Sequence, residues 1–156
     1  MDLVTENVQH YPRPPVLEPV PYRLHIELGG AIAADTTRGL RVLETHHAPT
    51  YYFPPEDVLA DLAPVQRRSF CEWKGRAVYW SVSAGGVTAA GAAWSYPAPT
   101  ASFGPLTDYI AFYSGQMTAC WVAGMRVTPQ PGDFYGGWVT RNLTGIVKGD
   151  AATRQW

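Results

Sequence analysis

Residues 69–80 read SFCEWKGRAVYW and bring a thiol, a carboxylate, an ammonium group and four aromatic rings into twelve positions. A thiolate is a nucleophile, and a neighbouring cation such as Lys74 or Arg76 favours the thiolate form. Cys71 is therefore a candidate catalytic nucleophile. The alternative is a buried, inert thiol in a well-packed hairpin, which is the more common role of a free cysteine.

Two carboxylates are candidate acid–base groups. Asp57 follows Pro54-Pro55 at the start of a predicted short helix, where a negative charge also stabilises the helix dipole. The functional alternative places Asp57 and Glu44 in one pocket with Tyr52, Lys74 and Tyr79. Polar groups of this kind orient a ligand within an apolar cleft.

Aromatic side chains are candidate walls for such a pocket, because aromatic faces hold cations and flat rings. In strongly alternating strands the same rings are equally suited to a core. The residues predicted to bind a ligand are Tyr52, Lys74, Tyr79, Trp80, Trp94 and Tyr96. The wider set of rings that could form a cage also includes Trp73, Phe112 and Trp121.

The run Glu44-Thr45-His46-His47 contains residue types that bind metals. Adjacent residues of a strand face opposite sides, so at most one of the two histidines could join Glu44. His10 and His25 have no spacing that completes a ligand set. We expect neither a metal nor a cofactor.

Composition predicts one globular domain of 156 residues. The net charge of −1 and a pI near 6.4 favour neither nucleic acid nor an anionic membrane as a partner. The sequence contains no secretory signal pattern and no apolar run long enough for a membrane span. Cys71 and Cys120 form no C-x-x-C pair and no disulfide framework, which suggests a cytoplasmic location.

Glycine and proline divide the chain into short segments with alternating hydrophobicity, which is typical of strands joined by turns. We predict a Pro-rich extended arm over 1–20, a β domain over 21–149 and a tail over 150–156. The expected fold is mostly β: a single compact domain of short antiparallel strands and hairpins with one or two short helices. A short helix is predicted to start within Pro54–Leu59 and to end at Pro64, and a continuous strand is predicted over 119–127.

Five motifs occur in the order of the signatures of the domain-of-unknown-function 427 family, which the chain resembles from about 23 to 149. They are RVLET at 41–45, YYFPPEDV at 51–58, CEWKGRAVYW at 71–80, AWSYP at 93–97 and DYIAFY at 108–113. FYGGWVT at 134–140 resembles the tail of the family's longer, actinobacterial-type members.

The resemblance implies a fold similar to the β-tent architecture of methionine sulfoxide reductase B, the Mss-four-like zinc proteins and the ligand-binding domain of cereblon. Those relatives commonly hold zinc with four cysteines, whereas this chain has two. The family has also carried a nucleotidyltransferase label. The chain has no Gly-Ser loop followed by a D-x-D pair to hold Mg²⁺ and phosphates.

Three functions remain open. The first is binding of an unidentified small molecule in an aromatic and polar cleft. The second is an enzyme that uses the same cleft, with Cys71 as nucleophile or Glu44 and Asp57 as acid and base. The third is an interaction module, a homodimer or a hetero-complex, in which the arm and the ring-rich segment 134–138 form contacts. That segment suits a lid or a subunit contact, and an ordered edge loop is an equal alternative.

Overall fold

The structure is a computed structural model that describes residues 3–132 and 135–149. Strands hold 52% of the described residues and helical turns 10%, and the strands form several small, largely antiparallel sheets. The predicted fold class, a small single domain that is mostly β, is confirmed.

The strands are β1 (Glu6–Asn7), β2 (Val16–Val20), β3 (Leu24–Leu28), β4 (Ala31–Thr36), β5 (Gly39–Leu43), β6 (Thr50–Tyr52), β7 (Asp61–Cys71), β8 (Gly75–Ala84), β9 (Val87–Ser95), β10 (Ile110–Phe112), β11 (Ala119–Val122), β12 (Met125–Arg126), β13 (Thr128–Pro129), β14 (Trp138–Val139) and β15 (Leu143–Thr144). The helical segments are short 3₁₀ turns at Val8–His10, Pro55–Asp57, Ala101–Leu106 and Ser114–Gln116.

The central sheet has the strand order β10-β9-β8-β7, and each neighbouring pair is antiparallel. Tyr79 lies opposite Trp94 on the adjacent strand, and Trp80 lies opposite Ala93. Successive side chains of a strand face opposite sides of the sheet. Tyr79 and Trp94 accordingly belong to one hydrophobic cluster, whereas Trp80 and Ala93 belong to another.

The larger cluster joins the central sheet to a second four-stranded sheet, β12-β11-β3-β4. Leu24, Ile26 and Leu28 alternate along β3 and are buried, as their spacing predicts. Burial of each such side chain stabilises the fold by about 1.5–3 kcal/mol. Trp138 packs into this cluster, and its indole Nε1 donates a hydrogen bond to the carbonyl oxygen of Phe112 at 3.0 Å.

The smaller cluster lies on the opposite face of the central sheet. Its buried members are Val42, Tyr52, Ala77, Tyr79, Trp94, Tyr96, Phe103, Leu106 and Ala111. Strands β5 and β6 contribute Val42 and Tyr52, and the 3₁₀ turn at Ala101–Leu106 contributes Phe103 and Leu106. Several of its rings also line an open cleft.

The Pro-rich arm packs on the domain. Val16–Val20 forms the edge strand of the sheet β2-β5-β6, a position that suits Pro19 because proline cannot donate to a neighbouring strand. The side chain of Arg41 is nearly buried, and its guanidinium donates to both carboxylate oxygens of Glu6 and to Glu18. These charge-assisted hydrogen bonds fix the arm to the sheet.

Two local predictions were wrong. The helix expected after Pro54 is a single 3₁₀ turn, because strand β7 begins at Asp61 and runs through Pro64. The continuous strand expected over 119–127 is a hairpin. Ala123 and Gly124 turn the chain with φ values of 49° and 81°, so that β12 pairs back onto β11.

None of the helical segments in residues 3–132 and 135–149 is both long and apolar enough to span a membrane. Phe134, the first residue of the ring-rich segment, and the predicted tail at 150–156 lie outside the described residues.

Candidate functional site

A cleft of about 280 Å³ opens beside the smaller cluster. Four parts of the chain form its walls: the segment from β5 to β6, the β7–β8 hairpin, strands β9 and β10 with their flanks, and residues 135–148. The lining residues are Val42, Glu44, His47, Thr50, Tyr52, Ser69, Phe70, Cys71, Glu72, Trp73, Lys74, Tyr79, Trp94, Tyr96, Tyr113, Tyr135, Gly136, Gly137 and Lys148.

The cleft brings together most of the residues predicted from the sequence. Those that line it are Glu44, Tyr52, Cys71, Lys74, Tyr79, Trp94 and Tyr96. Trp73, from the wider set of rings, lines it as well. Two of the predicted residues, Asp57 and Trp80, lie elsewhere.

Asp57 belongs to a surface ion pair. Its carboxylate accepts a hydrogen bond from Thr36 Oγ1 at 2.7 Å and two from Arg38 at 3.1 Å. The pKa of Asp57 lies below its usual value. The main cause is the hydrogen bond from Thr36, and the hydrogen bonds and positive charge of Arg38 add to it. The structure therefore does not bring Asp57 into the cleft beside Glu44, and the Glu44–Asp57 acid–base pair is not assembled there.

Trp80 faces the other side of the central sheet, where its indole Nε1 donates to Ser95 Oγ at 3.0 Å. Two of the other rings considered for a cage are also distant from the cleft lining. Phe112 is buried in the larger cluster, and Trp121 packs against the imidazole of His25 with a centroid separation of 5.4 Å.

Lys74 is positioned by the tip of the β7–β8 hairpin. The turn from Glu72 to Lys74 docks against Thr100, whose hydroxyl donates to the Trp73 carbonyl at 2.6 Å and whose amide donates to the Lys74 carbonyl at 3.0 Å. The Lys74 ammonium lies 5.9 Å from the ring centroid of Tyr96. Two consecutive carbonyls of the turn, those of Trp73 and Lys74, are thus fixed by Thr100, and the cation lies over an aromatic face of the cleft.

Lys148 reaches the same cleft from the far end of the described chain. Its amide donates to the His46 carbonyl at 2.6 Å, and its carbonyl accepts from Gln130 Nε2 at 2.8 Å. Gln130 is 1% exposed and its Oε1 also accepts from the Ala48 amide, so one buried side chain joins the two loops. The Lys148 ammonium lies 5.1 Å from the ring centroid of Tyr135.

His47 has a defined tautomer. Its Nδ1 donates to the Thr45 carbonyl at 3.0 Å, which leaves the lone pair of the neutral ring on Nε2. Burial lowers the pKa of His47, and the positive charges of Lys148 and Lys74 lower it further. The negative charge of Glu44 acts in the opposite direction and raises it. The imidazole is therefore neutral at pH 7 and offers the cleft a hydrogen-bond acceptor.

Three phenols of the cleft are hydrogen-bond donors at neutral pH. Burial raises the pKa of Tyr52 and of Tyr96 above the usual value, and burial with the neighbouring Tyr79 raises the pKa of Tyr113 to about 12. These three hydroxyls therefore keep their protons at pH 7. The Tyr79 hydroxyl is 2.9 Å from Ser69 Oγ, which fixes it at the hairpin wall.

Glu44 and Cys71, two candidate catalytic residues, also line the cleft. A carboxylate oxygen of Glu44 lies 3.9 Å from the guanidinium of Arg13, so the arm supplies a cation beside this acid. Cys71 is partly exposed at the end of β7, whereas Cys120 is buried in the larger cluster. Burial raises the pKa of the Cys120 thiol to about 12.

Sequence reasoning missed several wall residues that come from distant segments: His47 as a ligand-facing group, Tyr113 and Lys148. Tyr135, from the segment considered as a lid, lines the cleft as well. One signal for Lys148 was present. Lys74 and Lys148 are the two lysines of the chain, against ten arginines, and this scarcity sets both apart. In residues 3–132 and 135–149, no three His, Cys, Asp or Glu side chains group closely enough to hold a metal ion.

A family model described as a domain of unknown function, DUF427, matches residues 16–123, and the chain belongs to this family. The matched range includes the predicted cleft residues from Glu44 to Tyr96. It ends before Tyr135, Gly136, Gly137 and Lys148, which form another wall. No curated protein matches the chain.

Proposed function

We propose that this protein binds a small organic molecule in the cleft between the β7–β8 hairpin and residues 135–148. The observation that carries the proposal is the convergence of polar and aromatic side chains from distant segments on one concave surface. Small-molecule sites are concave, largely apolar, and contain a few placed polar groups. The rings, phenol donors, the His47 acceptor and the charged side chains described above fit that description.

The size and walls of the cleft limit the ligand. A volume of about 280 Å³ is near the lower end for sites that hold organic ligands, so one ring system with a short polar group fits best. Tyr96 and Tyr135 line the cleft, and Trp94 packs on Tyr113 with centroids 4.6 Å apart. A flat ligand would stack against such faces.

Native mass spectrometry of the gently purified protein, compared with its denatured mass, tests the proposal. We expect a bound mass that disappears on denaturation. Thr50→Trp, which fills the cleft, should abolish it, and Thr88→Trp, on the exposed part of β9, should retain it. A bare protein that also gives no saturation-transfer NMR signal with aromatic fragments would overturn the proposal.

Catalysis is a second candidate, favoured by one observation: Cys71 and His47 line the same cleft. In this case Cys71 would attack an electrophilic ligand and His47 would accept a proton through Nε2. A covalent adduct that survives denaturation and is lost in Cys71→Ser would support catalysis. If the Cys71→Ser variant turns over each bound ligand at the same rate as the unchanged protein, the thiol route is excluded.

The homodimer predicted from the sequence has less support. Strand β7 is an edge strand in which Pro64 lacks an amide donor and the register shifts between Val65 and Arg68. Proline, bulges and charged side chains at an edge oppose pairing with another chain. Light scattering at micromolar concentration tests this alternative, and a monomer would count against it.

A further inference from the structure

Both lysines of the chain line the same cleft, although they lie 74 positions apart in the sequence. The ten other basic side chains are arginines, and no arginine in the described part of the chain lines the cleft. Lysine and arginine serve a solvated surface about equally well. Lysine differs in being a compact ammonium with three rotatable donors, which acts as a point charge towards an anion.

Two independent sets of contacts position the two ammonium groups. Thr100 fixes the hairpin turn that carries Lys74, and Gln130 fixes the loop that carries Lys148. Each ammonium lies over a tyrosine ring of the cleft wall, Tyr96 or Tyr135. The imidazole of His47 lines the same cleft, and both positive charges disfavour its protonation and lower its pKa. The two cations therefore belong to one cleft, although they come from opposite walls.

Carboxylates also line the cleft. Among the described residues, Glu44 and Glu72 line it together with the two lysines. The guanidinium of Arg13 lies 3.9 Å from Glu44 and offsets that carboxylate, and Glu72 is exposed at the hairpin tip. The chain as a whole has a net charge of −1, so the presence of both lysines in one cleft is not a consequence of a basic composition.

We propose that the ligand is an aromatic or otherwise flat anion, whose carboxylate or phosphate binds between Lys74 and Lys148 while its ring packs against the tyrosine walls. This inference rests on the proposed function of the cleft. The hydroxyl groups of the lining tyrosines add hydrogen-bond donors to the same anion. His47, a neutral acceptor, would bind a hydroxyl or amine donor elsewhere on the ligand.

A matched series of naphthalene probes tests the inference, because its members differ only in the polar group. The probes are 2-naphthoate, 2-naphthyl phosphate, neutral 2-naphthamide and the cation 2-naphthylmethylammonium, titrated into the full chain with ¹H–¹⁵N NMR detection. We expect the better of the two anions to bind roughly tenfold more tightly than the amide, as for a charge-assisted hydrogen bond. A tighter phosphate indicates a phosphorylated ligand, and a tighter carboxylate indicates an organic acid.

Variants assign the effect to the lysines. Lys74→Gln and Lys148→Gln should each weaken binding of the preferred anion by roughly tenfold and leave the amide unchanged. Lys74→Arg, which keeps the charge, should recover most of the affinity. Arg76→Gln removes an exposed charge from the same hairpin but outside the cleft lining, so it should have no effect.

A second readout does not depend on substitution. Reductive methylation with ¹³C-formaldehyde labels both lysines and retains their charge, so the side chains give two dimethylammonium signals. Both should shift with the preferred anion and neither with the amide. Equal binding of the anions and the amide at the cleft would overturn the anion inference and leave the binding function standing. Absence of shifts at cleft residues with all four probes would overturn both.

Discussion

Gly136 packs directly on the indole of Trp94. A Cβ atom built on Gly136 would lie 2.8 Å from Cζ2 of Trp94 and closer still to Cη2. The segment 135–137 therefore closes against the aromatic wall only because residue 136 has no side chain. This contact joins the part of the chain beyond the family match to the strands within it.

Gly136→Ala should displace residues 135–137 from Trp94 and destabilise the protein by about 1–3 kcal/mol, the usual cost of overpacking. The tryptophan emission spectrum should change, and anion binding should weaken because Tyr135 and Lys148 lose their positions. Gly104→Ala is the control, since a Cβ at Gly104 meets no atom within 4 Å. An unchanged melting temperature and spectrum in Gly136→Ala would contradict the packing role.

The two cysteines should differ in their reaction with iodoacetamide. Cys71 is partly exposed in the cleft, whereas Cys120 is 1% exposed and burial raises its pKa to about 12, so little thiolate forms at neutral pH. Peptide mass spectrometry should find Cys71 modified in the native protein and Cys120 modified only after denaturation. The preferred anion should slow the modification of Cys71. Equal rates for the two thiols would contradict the assigned burial.

The sequence predicted the parts of the cleft that follow from strand alternation within one hairpin. Tyr79 and Lys74 were identified in residues 69–80, and both line the cleft. The same alternation assigns Tyr79 and Trp80 to opposite faces, so the two could not share one pocket. The indole of Trp80 is of a type that often binds ligands, but strand geometry places it on the other side of the central sheet from the cleft.

The rest of the site depended on long-range contacts that residue patterns do not encode. Asp57 was expected in the cleft, but Arg38 and Thr36, about twenty positions earlier, hold its carboxylate at the surface. Lys148 enters the cleft because buried Gln130 bonds to both loops. Tertiary hydrogen bonds of this kind have no local sequence signature.

Removal of the Arg41 side chain should detach the N-terminal arm. Arg41→Met leaves the partly buried carboxylate of Glu6 without its bidentate partner, so we expect a loss of about 3 kcal/mol in the free energy of unfolding. Arg38→Met is the matched control, because its ion pairs are exposed and screened by solvent, so the loss of stability should be much smaller. Urea denaturation measures both losses, and limited proteolysis should cut the arm only in Arg41→Met. Equal losses in the two variants would contradict the anchoring role.

The pKa of His47 should respond in opposite directions to removal of the positive and of the negative charges of the cleft. Burial, together with Lys148 and Lys74, lowers the pKa of His47, and Glu44 opposes this. Lys74→Gln and Lys148→Gln should therefore raise the pKa of His47, and Glu44→Gln should lower it, as measured by ¹H–¹³C NMR of the imidazole. Arg126→Gln, on the distant β12, should leave it unchanged.

The same pKa has a consequence for stability. The folded-state pKa of His47 lies below the unfolded value near 6.5, so the neutral ring stabilises the fold above that pH, and the contribution is lost as the pH falls below it.

The anion, held by the lysines, should raise the pKa of His47 by offsetting their charge. A pKa that does not respond to either lysine variant would show that the two cations do not act on the imidazole of His47.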